Sequence, residues 1–355
     1  MKKIVVFGGG IGGISVLKKL EKYKGDKLDI TLVEPKDYVE VPYGMLRAIV
    51  DPLDYGKKVR RRISEIVKVR HIQAKLVKLH KNKAILDNDQ TITFDYCIIA
   101  TGSTSRGFED LKINYKQSFN ERKKQWEAYA EQLKSKEKIA IIGGGTVGVE
   151  LAGEIAEAYP NKKVLLFHNS DRILSPLSKG ASKKAHRVLS ELGVQIILNT
   201  RATIEENNNS KVVIDNSGKR HEVDIIYKSF GNVINTDFLK NNFSNKIDNK
   251  NQIKVNSYLQ IEGVENIWAI GDINNVPEIK LGTLAIRQAD RTASNILKTL
   301  NGKKTKPYKP IKGSISFITL GRKNGIAQLP FIRLDFLASY KQKKDLFVTD
   351  ILYKS

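Results

Sequence analysis

Two stretches of the chain carry the same order of apolar and polar positions. One reads "KIVVFGGGIGGISVLKKL" from Lys3, and the other reads "KIAIIGGGTVGVELAGEI" from Lys138. Each opens with a continuous apolar run, which is typical of a strand buried on both faces in a parallel sheet. After a run of glycines, apolar residues recur at helical spacing. The pattern therefore predicts a strand, a turn and a helix at both places, as in an α/β protein.

The first glycine turn has the G-x-G-x-x-G spacing of a dinucleotide-binding loop. Gly8 permits the tight turn, Gly10 lets the backbone approach a pyrophosphate, and Gly13 lets the helix pack close to the strand. The N-terminus of that helix then faces the phosphate. A second apolar strand, "DITLVE", ends at Glu34, about twenty residues further on, where an acid binds the hydroxyls of the adenosine ribose.

The second turn repeats the spacing at Gly143, Gly145 and Gly148. The strand that follows its helix, "KKVLLF", leads into residues 168–170, which contain no acid, and Arg172 comes directly after. An acid at that place would repel the 2′-phosphate of NADPH. We therefore expect this site to accept NADPH as well as NADH. Two nucleotide sites in one chain favour a flavin paired with a nicotinamide cofactor.

Three further apolar runs predict strands, and two of them end in residues that suit a ligand crevice. "YCIIATG" at 96–102 ends in Thr101 and Gly102, and "IIYKSFG" at 225–231 echoes it after the second loop. "VENIWAIGDI" at 264–273 ends in Gly271 and Asp272. A carboxylate at the carboxyl end of a parallel strand lies in the ligand crevice. The alternative for Asp272 is a turn or helix cap, because aspartate favours both.

Length and composition exclude several kinds of site and of protein. The chain has 355 residues, enough for two or three domains, and a single cysteine, Cys97, which excludes an internal disulfide and cysteine-rich metal sites. The five histidines are scattered, so we expect no metal site. No apolar run reaches membrane-spanning length, the first residues do not resemble a signal peptide, and Lys2 is incompatible with N-myristoylation. These features predict a cytoplasmic protein, with peripheral membrane contact as an alternative.

The net charge of +23 has two interpretations. The first is that the protein binds a nucleic acid or an anionic membrane. The second is that the charge reflects only a solvated, lysine-rich surface. The lysines are spread along the chain, and the densest cluster, "GKKVRRR" at 56–62, has no interleaved aromatic residues. We therefore do not expect a nucleic acid partner.

In this order the motifs resemble the FAD oxidoreductases with two dinucleotide-binding domains, over residues 1–300. The tail at 306–348, with "KDYVEVPYGMLRA", "ATGST" and "VENIWAIGD", is similar to the apoptosis-inducing-factor-like, mitochondrion-associated proteins, or ferroptosis suppressor proteins. Those are NAD(P)H:quinone oxidoreductases related to type II NADH dehydrogenases. The resemblance implies two Rossmann-like domains and a small α+β C-terminal region. It also implies FAD, NADH or NADPH, and a quinone-type acceptor.

The resemblance also implies roles for individual residues. Glu150 matches an acid on the nicotinamide-side helix, near the flavin ring, although at that position it can also simply favour the helix dipole. A lysine near the flavin ring corresponds to Lys341 or Lys343, because "KQKKDLF" is one residue longer than the family's element. The contacts implied for FAD are Gly8, Gly9, Gly10, Ile11, Gly12, Gly13, Arg47, the backbone near Val77, and Asp272.

We predict three units along the chain. Residues 1–108 and 243–300 form a discontinuous FAD-binding domain, residues 109–242 the NAD(P)H-binding domain, and residues 301–355 a C-terminal region. In that region "SISFITLG" predicts a strand, and a helix is expected from Pro330. The apolar side of that helix comprises Phe331, Leu334, Leu337 and Tyr340. It either contacts an anionic membrane, where a quinone would enter, or packs on the body or on a second subunit in a homodimer.

The predicted function is hydride transfer from NAD(P)H to FAD, followed by transfer of two electrons to a quinone-type acceptor. Three alternatives share the same two loops. An NAD(P)H oxidase would use oxygen, and a reductase would pass electrons to a partner redox protein. The third alternative is an NADH-sensing signalling protein of the apoptosis-inducing-factor type.

Overall fold

The computed structural model describes residues 1–23, 28–207, 210–313, 315–330, 332–343 and 345–353, without the side chains of Lys341 and Lys343. The first part of the chain contains β1 (Lys2–Phe7), α1 (Ile11–Glu21), β2 (Leu28–Val33), β3 (Tyr38–Glu40), α2 (Pro42–Ala48), α3 (Tyr55–Lys58), β4 (Arg60–Arg62), α4 (Ile63–Ile66), β5 (Arg70–Ile72), β6 (Leu76–Leu79), β7 (Lys83–Leu86), β8 (Thr91–Thr93), β9 (Tyr96–Ile99) and β10 (Ser103–Ser105).

The middle part contains α5 (Phe119–Ser135), β11 (Lys138–Ile142), α6 (Thr146–Ala158), β12 (Lys163–Phe167), α7 (Lys179–Glu191), β13 (Gln195–Ile197), β14 (Thr203–Glu206), β15 (Lys211–Ile214), β16 (Arg220–Val223), β17 (Ile225–Lys228) and β18 (Asn232–Ile234). The last part contains β19 (Ile267–Ala269), α8 (Gly282–Leu300), β20 (Ser316–Leu320), β21 (Asn324–Gln328), α9 (Phe336–Lys343) and α10 (Val348–Leu352).

Two parallel sheets form the frame. The first has the strand order β19-β9-β1-β2-β5, and the second has the order β13-β12-β11-β17. The apolar runs of the sequence are the central strands, and the last four residues of both β1 and β11 are buried. Helices α1 and α6 follow the two glycine turns, as predicted. The α/β fold class is confirmed, because both faces of a parallel sheet need helices to cover them.

Antiparallel pieces are added to this frame. Strands β6, β7 and β8 form one three-stranded sheet, and β14, β15 and β16 form another. Strand β10, directly after the strand that ends in Thr101 and Gly102, pairs antiparallel with β18. Strand β19 comes late in the chain but pairs with β9 in the first sheet. The β10–β18 pairing therefore connects the segment that follows β9 of the first parallel sheet with the segment that follows β17 of the second.

The C-terminal region is an antiparallel hairpin with helices packed on it. Strands β20 and β21 pair, β20 packs against α6, and α9 packs against β21. Residues Val348 and Leu352 of α10 are fully buried. Among the described ranges, no helix combines the length and the apolar character needed to cross a bilayer.

The predicted helix start at Pro330 is wrong, because α9 begins at Phe336. Two hydrogen bonds of the described residues before α9 show this: the Leu334 N–H donates to the Ala327 carbonyl of β21 at 2.9 Å, and the Leu329 N–H donates to the Ile332 carbonyl at 2.8 Å. These pairings use backbone groups that a helix would need for itself. Phe331, which was placed on the apolar side of that helix, lies outside the described residues.

The close packing of α6 on the second turn gives the first testable prediction. A Cβ atom at Gly148 would lie 1.9 Å from the Gly143 carbonyl oxygen, whereas one at Gly145 would meet no atom within 4 Å. Gly148→Ala should therefore lower the free energy of unfolding by at least about 2 kcal/mol, because the helix must move away from the strand.

Gly145→Ala is the matched control. It should lower the free energy of unfolding by no more than about 1 kcal/mol, the cost of replacing glycine by alanine at a helix N-cap. Its added methyl group should instead weaken NADH binding, since it faces the open side of the loop. Urea unfolding and NADH titration measure the two effects. Equal stability of the two variants would contradict the prediction.

Candidate functional site

The first loop brings the ends of β1, β9 and α1 into contact. Gly8 has a φ of +106°, and a Cβ atom there would lie 2.4 Å from the Ala100 carbonyl oxygen. A Cβ at Gly13 would lie 1.9 Å from the Gly8 carbonyl oxygen. Both positions therefore require glycine, as the motif predicted. By contrast, a Cβ at Gly10 would meet no atom within 4 Å, so the loop leaves open space over the first turn of α1.

A cavity of about 620 Å³ extends from this loop. Its wall contains residues from the first parallel sheet, from the β10–β18 pair, from the start of α6 and from β20. The sequence-predicted residues that line it are Gly8, Gly9, Gly10, Ile11, Gly12, Glu34, Thr101, Gly102, Glu150, Gly271 and Asp272. Gly13 does not line the cavity and packs against the Gly8 carbonyl instead. Residues 74–76 line the cavity beside Val77, whose own side chain is exposed.

The carboxylate of Glu34 lies against the first loop. The Gly9 N–H donates to Oε2 at 2.6 Å, and Lys36 Nζ lies 2.6 Å from Oε1. The side chain is buried, and both oxygens have further lone pairs. Glu34 can therefore accept hydrogen bonds from ribose hydroxyls while these two contacts are kept. Lys36, also on the cavity wall, is a residue that the motif did not single out.

Asp272 is held by two groups from the segment after β9. The Ser103 hydroxyl donates to Oδ2 at 2.7 Å, and Lys112 Nζ donates to the same oxygen at 3.1 Å. Burial raises the pKa of Asp272, but the charge of Lys112 and these hydrogen bonds outweigh it and hold the pKa below its usual value. Asp272 is therefore ionised at neutral pH. Lys112, which lines the cavity, belongs to no motif, and sequence reasoning missed it.

Glu150 lies on the second turn of α6 and is buried on the cavity wall. Its Oε1 accepts hydrogen bonds from the backbone N–H of Thr319 at 3.0 Å and from the Thr319 hydroxyl at 3.3 Å. Thr319 belongs to β20, so the C-terminal hairpin fixes this carboxylate. Burial, Asp350 and Glu150 raise the pKa of the neighbouring Tyr43, which therefore stays protonated.

The C-terminal region reaches the cavity through residues 316–318 of β20. The side chains of Lys341 and Lys343 lie outside the described residues, so the flavin-side lysine stays a prediction. Across the described ranges, no group of three or more His, Cys, Asp and Glu side chains is placed to hold a metal ion.

Arg47 does not line the cavity, although the resemblance implied a contact with FAD. Its Nε and Nη2 donate to Glu154 Oε1 at 3.0 and 2.8 Å, and Nη2 also donates to the Gln342 side chain at 3.0 Å. Arg47 is on α2, Glu154 on α6 and Gln342 on α9. Burial lowers the pKa of Arg47, but Glu154 outweighs it and the pKa is raised. The guanidinium therefore joins three helices behind the cavity.

The second loop repeats the backbone of the first. The caps Gly10 and Gly145 have φ, ψ angles of −73°, −173° and −76°, −172°. Gly143 has a φ of +117°, and Gly148 packs on its carbonyl. The side chain of Arg172 points to its own loop: Nη1 donates to the Leu177 carbonyl at 3.0 Å and Nη2 to the Ser175 carbonyl at 2.5 Å. The predicted contact of Arg172 with a cofactor therefore stays a prediction.

Comparison with known proteins agrees with this geometry. The family model described as pyridine nucleotide-disulphide oxidoreductase matches residues 2–289. The chain belongs to this family. Membership confirms the predicted fold class and the predicted cofactors, FAD and NADH or NADPH. The cavity fits a dinucleotide, because open space over Gly10 adjoins the carboxylates of Glu34 and Asp272.

Two relatives resemble nearly the whole chain. Apoptosis-inducing factor homolog B of Dictyostelium discoideum is 29% identical over 98% of this chain and 95% of its own length. Ferroptosis suppressor protein 1 of Mus musculus is 30% identical over 92% of this chain and 88% of its own length. The narrower resemblance predicted from the tail and the motifs is thus confirmed.

Solved structures share the fold at lower identity. NDH2 from Plasmodium falciparum, in complex with NADH, has a TM-score of 0.73 at 15% identity and covers 98% of both chains. The NAD-dependent persulfide reductase from A. fulgidus has a TM-score of 0.77 at 18% identity and covers 92% of this chain and 63% of that one. These matches show that the chain shares its fold with both structures.

The buried ion pair gives the second prediction. Arg47→Met and Glu154→Leu should each lower the free energy of unfolding by about 3–5 kcal/mol, because each leaves an uncompensated charge in the interior. The double variant should lose less than the sum of the two single variants.

The exposed pair of Arg187 and Glu191 on α7 is the matched control, since 68% and 59% of these side chains are exposed. Arg187→Met and Glu191→Leu should each cost less than about 1 kcal/mol. Chemical unfolding of the FAD-loaded proteins measures all five variants against wild type. Single Arg47 and Glu154 variants as stable as these controls would refute the structural role of the buried pair.

Proposed function

We propose that the protein is an FAD-dependent NAD(P)H:quinone oxidoreductase. The observation that carries this proposal is the cavity in which the first loop, the start of α6 and strand β20 meet. A nicotinamide at the second loop and an acceptor beside the C-terminal hairpin would both reach a flavin in it. Relatives named ferroptosis suppressor protein 1 and a fold neighbour solved with NADH support the same function.

The electron acceptor must come from outside the chain. Cys97 is the only cysteine in the sequence, so this family member cannot form an internal disulfide. The thiol is fully buried in β9, between β1 and β19. Burial also raises its pKa, which disfavours the reactive thiolate. Electrons that leave the flavin must therefore pass to a bound acceptor.

The wall beside Glu150 suits a flat aromatic acceptor. Tyr43, Phe317 and Ile318 line the cavity there, and the hairpin contributes two of them. Aromatic and aliphatic walls with few polar groups are typical of sites for planar organic ligands. The two nucleotide-binding units do not supply this wall by themselves. A quinone is the redox-active acceptor that such a wall favours.

The residues have separable roles in this proposal. Gly10 and Glu34 would hold the pyrophosphate and the adenosine ribose of FAD, and Asp272 with Lys112 would hold a further polar part of the molecule. The chemistry that bound FAD supplies is acceptance of a hydride from NAD(P)H and release of two electrons. Glu150 places a negative charge beside the second loop, where it favours the positive charge that a nicotinamide ring acquires on oxidation.

Peripheral membrane contact is a further part of the proposal. Ile332, Phe336 and Tyr340 are 53%, 68% and 54% exposed, and all three lie on or just before α9. Exposed apolar side chains on a basic protein suit an anionic membrane, from which a lipid-soluble quinone would enter. This surface adjoins the hairpin that lines the cavity.

The third prediction tests the acceptor. With NADH in excess, a short-chain quinone should raise NADH oxidation well above the rate with oxygen alone. A ferredoxin should not match the quinone at equal concentration. Steady-state absorbance at 340 nm measures both. Equal rates with and without quinone would favour the oxidase alternative, and slow turnover with every acceptor would favour the NADH-sensing alternative.

The fourth prediction concerns Glu150. Glu150→Gln should slow flavin reduction by NADH by about 10- to 100-fold, because the neutral amide no longer favours the developing positive charge. FAD content should not change. Glu191→Gln removes the same charge at an exposed site on α7 and should leave the rate unaltered. Stopped-flow absorbance of the flavin measures the step, and a wild-type rate in Glu150→Gln would limit this residue to its contact with Thr319.

A further inference from the structure

The two loops place different side chains at the same point. In the first loop the Gly9 N–H donates to Glu34 Oε2 at 2.6 Å, and in the second the Gly144 N–H donates to His168 Nδ1 at 3.1 Å. A Cβ atom at either glycine would lie 2.9 Å from the Cγ of its partner. His168 directly follows β12, just as Glu34 directly follows β2. The histidine therefore occupies the place of the ribose-binding acid.

The hydrogen bond from Gly144 determines which nitrogen of His168 carries the proton. A backbone N–H can only donate, so Nδ1 is the acceptor and the neutral ring carries its proton on Nε2. Burial lowers the pKa of His168, which keeps the ring neutral at pH 7. Nε2 is buried and has no hydrogen-bond partner among the residues that the structure describes. An unsatisfied donor thus lies at the end of β12, at the place where the end of β2 has a carboxylate.

A donor and a carboxylate select different nucleotides. The 2′-hydroxyl of an adenosine ribose can accept from Nε2–H, and so can a 2′-phosphate, which forms the stronger, charge-assisted bond. A carboxylate accepts from the hydroxyl but repels the phosphate. We propose that His168 reads the 2′ oxygen of the nicotinamide cofactor, and that its Nε2–H makes the second loop accept a 2′-phosphate. The proposal rests on the proposed function only in assigning a nicotinamide nucleotide to this loop.

The neighbouring polar residues do not replace this donor. The guanidinium of Arg172 donates to the carbonyls of Ser175 and Leu177, which stabilises the turn after β12. The side chain of Asp171 is exposed, and the Ser170 hydroxyl donates to Asn169 at 3.5 Å. The side chain of His168 bonds to the glycine loop, and the other bond from this segment to Gly144 comes from the backbone: the Leu174 N–H donates to the Gly144 carbonyl at 2.8 Å.

The test compares two probes on the FAD-loaded protein: adenosine 2′,5′-bisphosphate, and 5′-AMP, which lacks the 2′-phosphate. His168→Glu should weaken binding of the bisphosphate by about thirtyfold or more, the range expected for losing a charged hydrogen bond, and should change 5′-AMP binding little. His168→Gln should restore bisphosphate binding to within about fivefold, because its carbonyl can accept from Gly144 and its amide can donate. Calorimetric titration measures both affinities.

His186→Glu is the matched control, because His186 is exposed on α7 and the charge change is the same. It should leave the ratio of the two affinities unaltered. If His168→Glu loses FAD or does not fold, His168→Met, which can neither donate nor accept strongly, takes its place and should also lose the preference for the bisphosphate. A variant lacking the Nε2 donor that still binds the bisphosphate as tightly as wild type overturns the proposal.

Turnover provides a second readout. Wild type should use NADPH with a kcat/KM within about tenfold of NADH, and His168→Glu should shift this ratio toward NADH by at least about thirtyfold. The binding measurements need no electron acceptor. If wild type reduces no quinone but shows the expected binding pattern, the proposed function fails and the assignment of His168 stands.

Discussion

The buried contact between Arg47 and Glu154 is the interaction on which the geometry of the site depends. Side-chain exposures of 7% and 2% mean that both charges have lost their water, a cost that only close hydrogen bonds offset. The guanidinium provides them with two nitrogens on one carboxylate and a third contact to Gln342. Since the three residues belong to α2, α6 and α9, the relative positions of these helices are strongly restricted.

Helix α6 connects this buried ion pair to the residues of the candidate site. It begins at the second glycine loop, presents Glu150 to the cavity one turn later, and pairs with Arg47 of α2 through Glu154 one turn after that. From the C-terminal hairpin, Thr319 of β20 donates twice to Glu150. A single helix thus relates the second glycine loop, Glu150 and the C-terminal hairpin. The second glycine loop and the wall formed by β20 are therefore positioned by the same helix.

The two glycine loops have nearly the same backbone conformation, although we expect them to bind different cofactors. Their cap angles agree within 3°, and in both the third glycine packs on the carbonyl of the first. What differs is the residue after the second strand, Glu34 in one case and His168 in the other. A glycine loop of this kind suits phosphate binding in general, and in our proposal a single side chain then distinguishes the ribose. This separation lets a cofactor preference change without any change of fold.

The sequence by itself determined the two strand–turn–helix units, the strands that end in Thr101 and Asp272, and the absence of an internal disulfide. These follow from apolar runs, glycine spacing and composition, which act over a few neighbouring residues or over the chain as a whole. Only the tertiary structure decided that Arg47 pairs with Glu154, 107 residues away, and that Thr319 holds Glu150, 169 residues away. It also decided that α9 begins six residues after Pro330, because the intervening backbone pairs with β21. Such contacts depend on how separate elements pack, and local periodicity contains no information about which distant side chain will meet a buried charge.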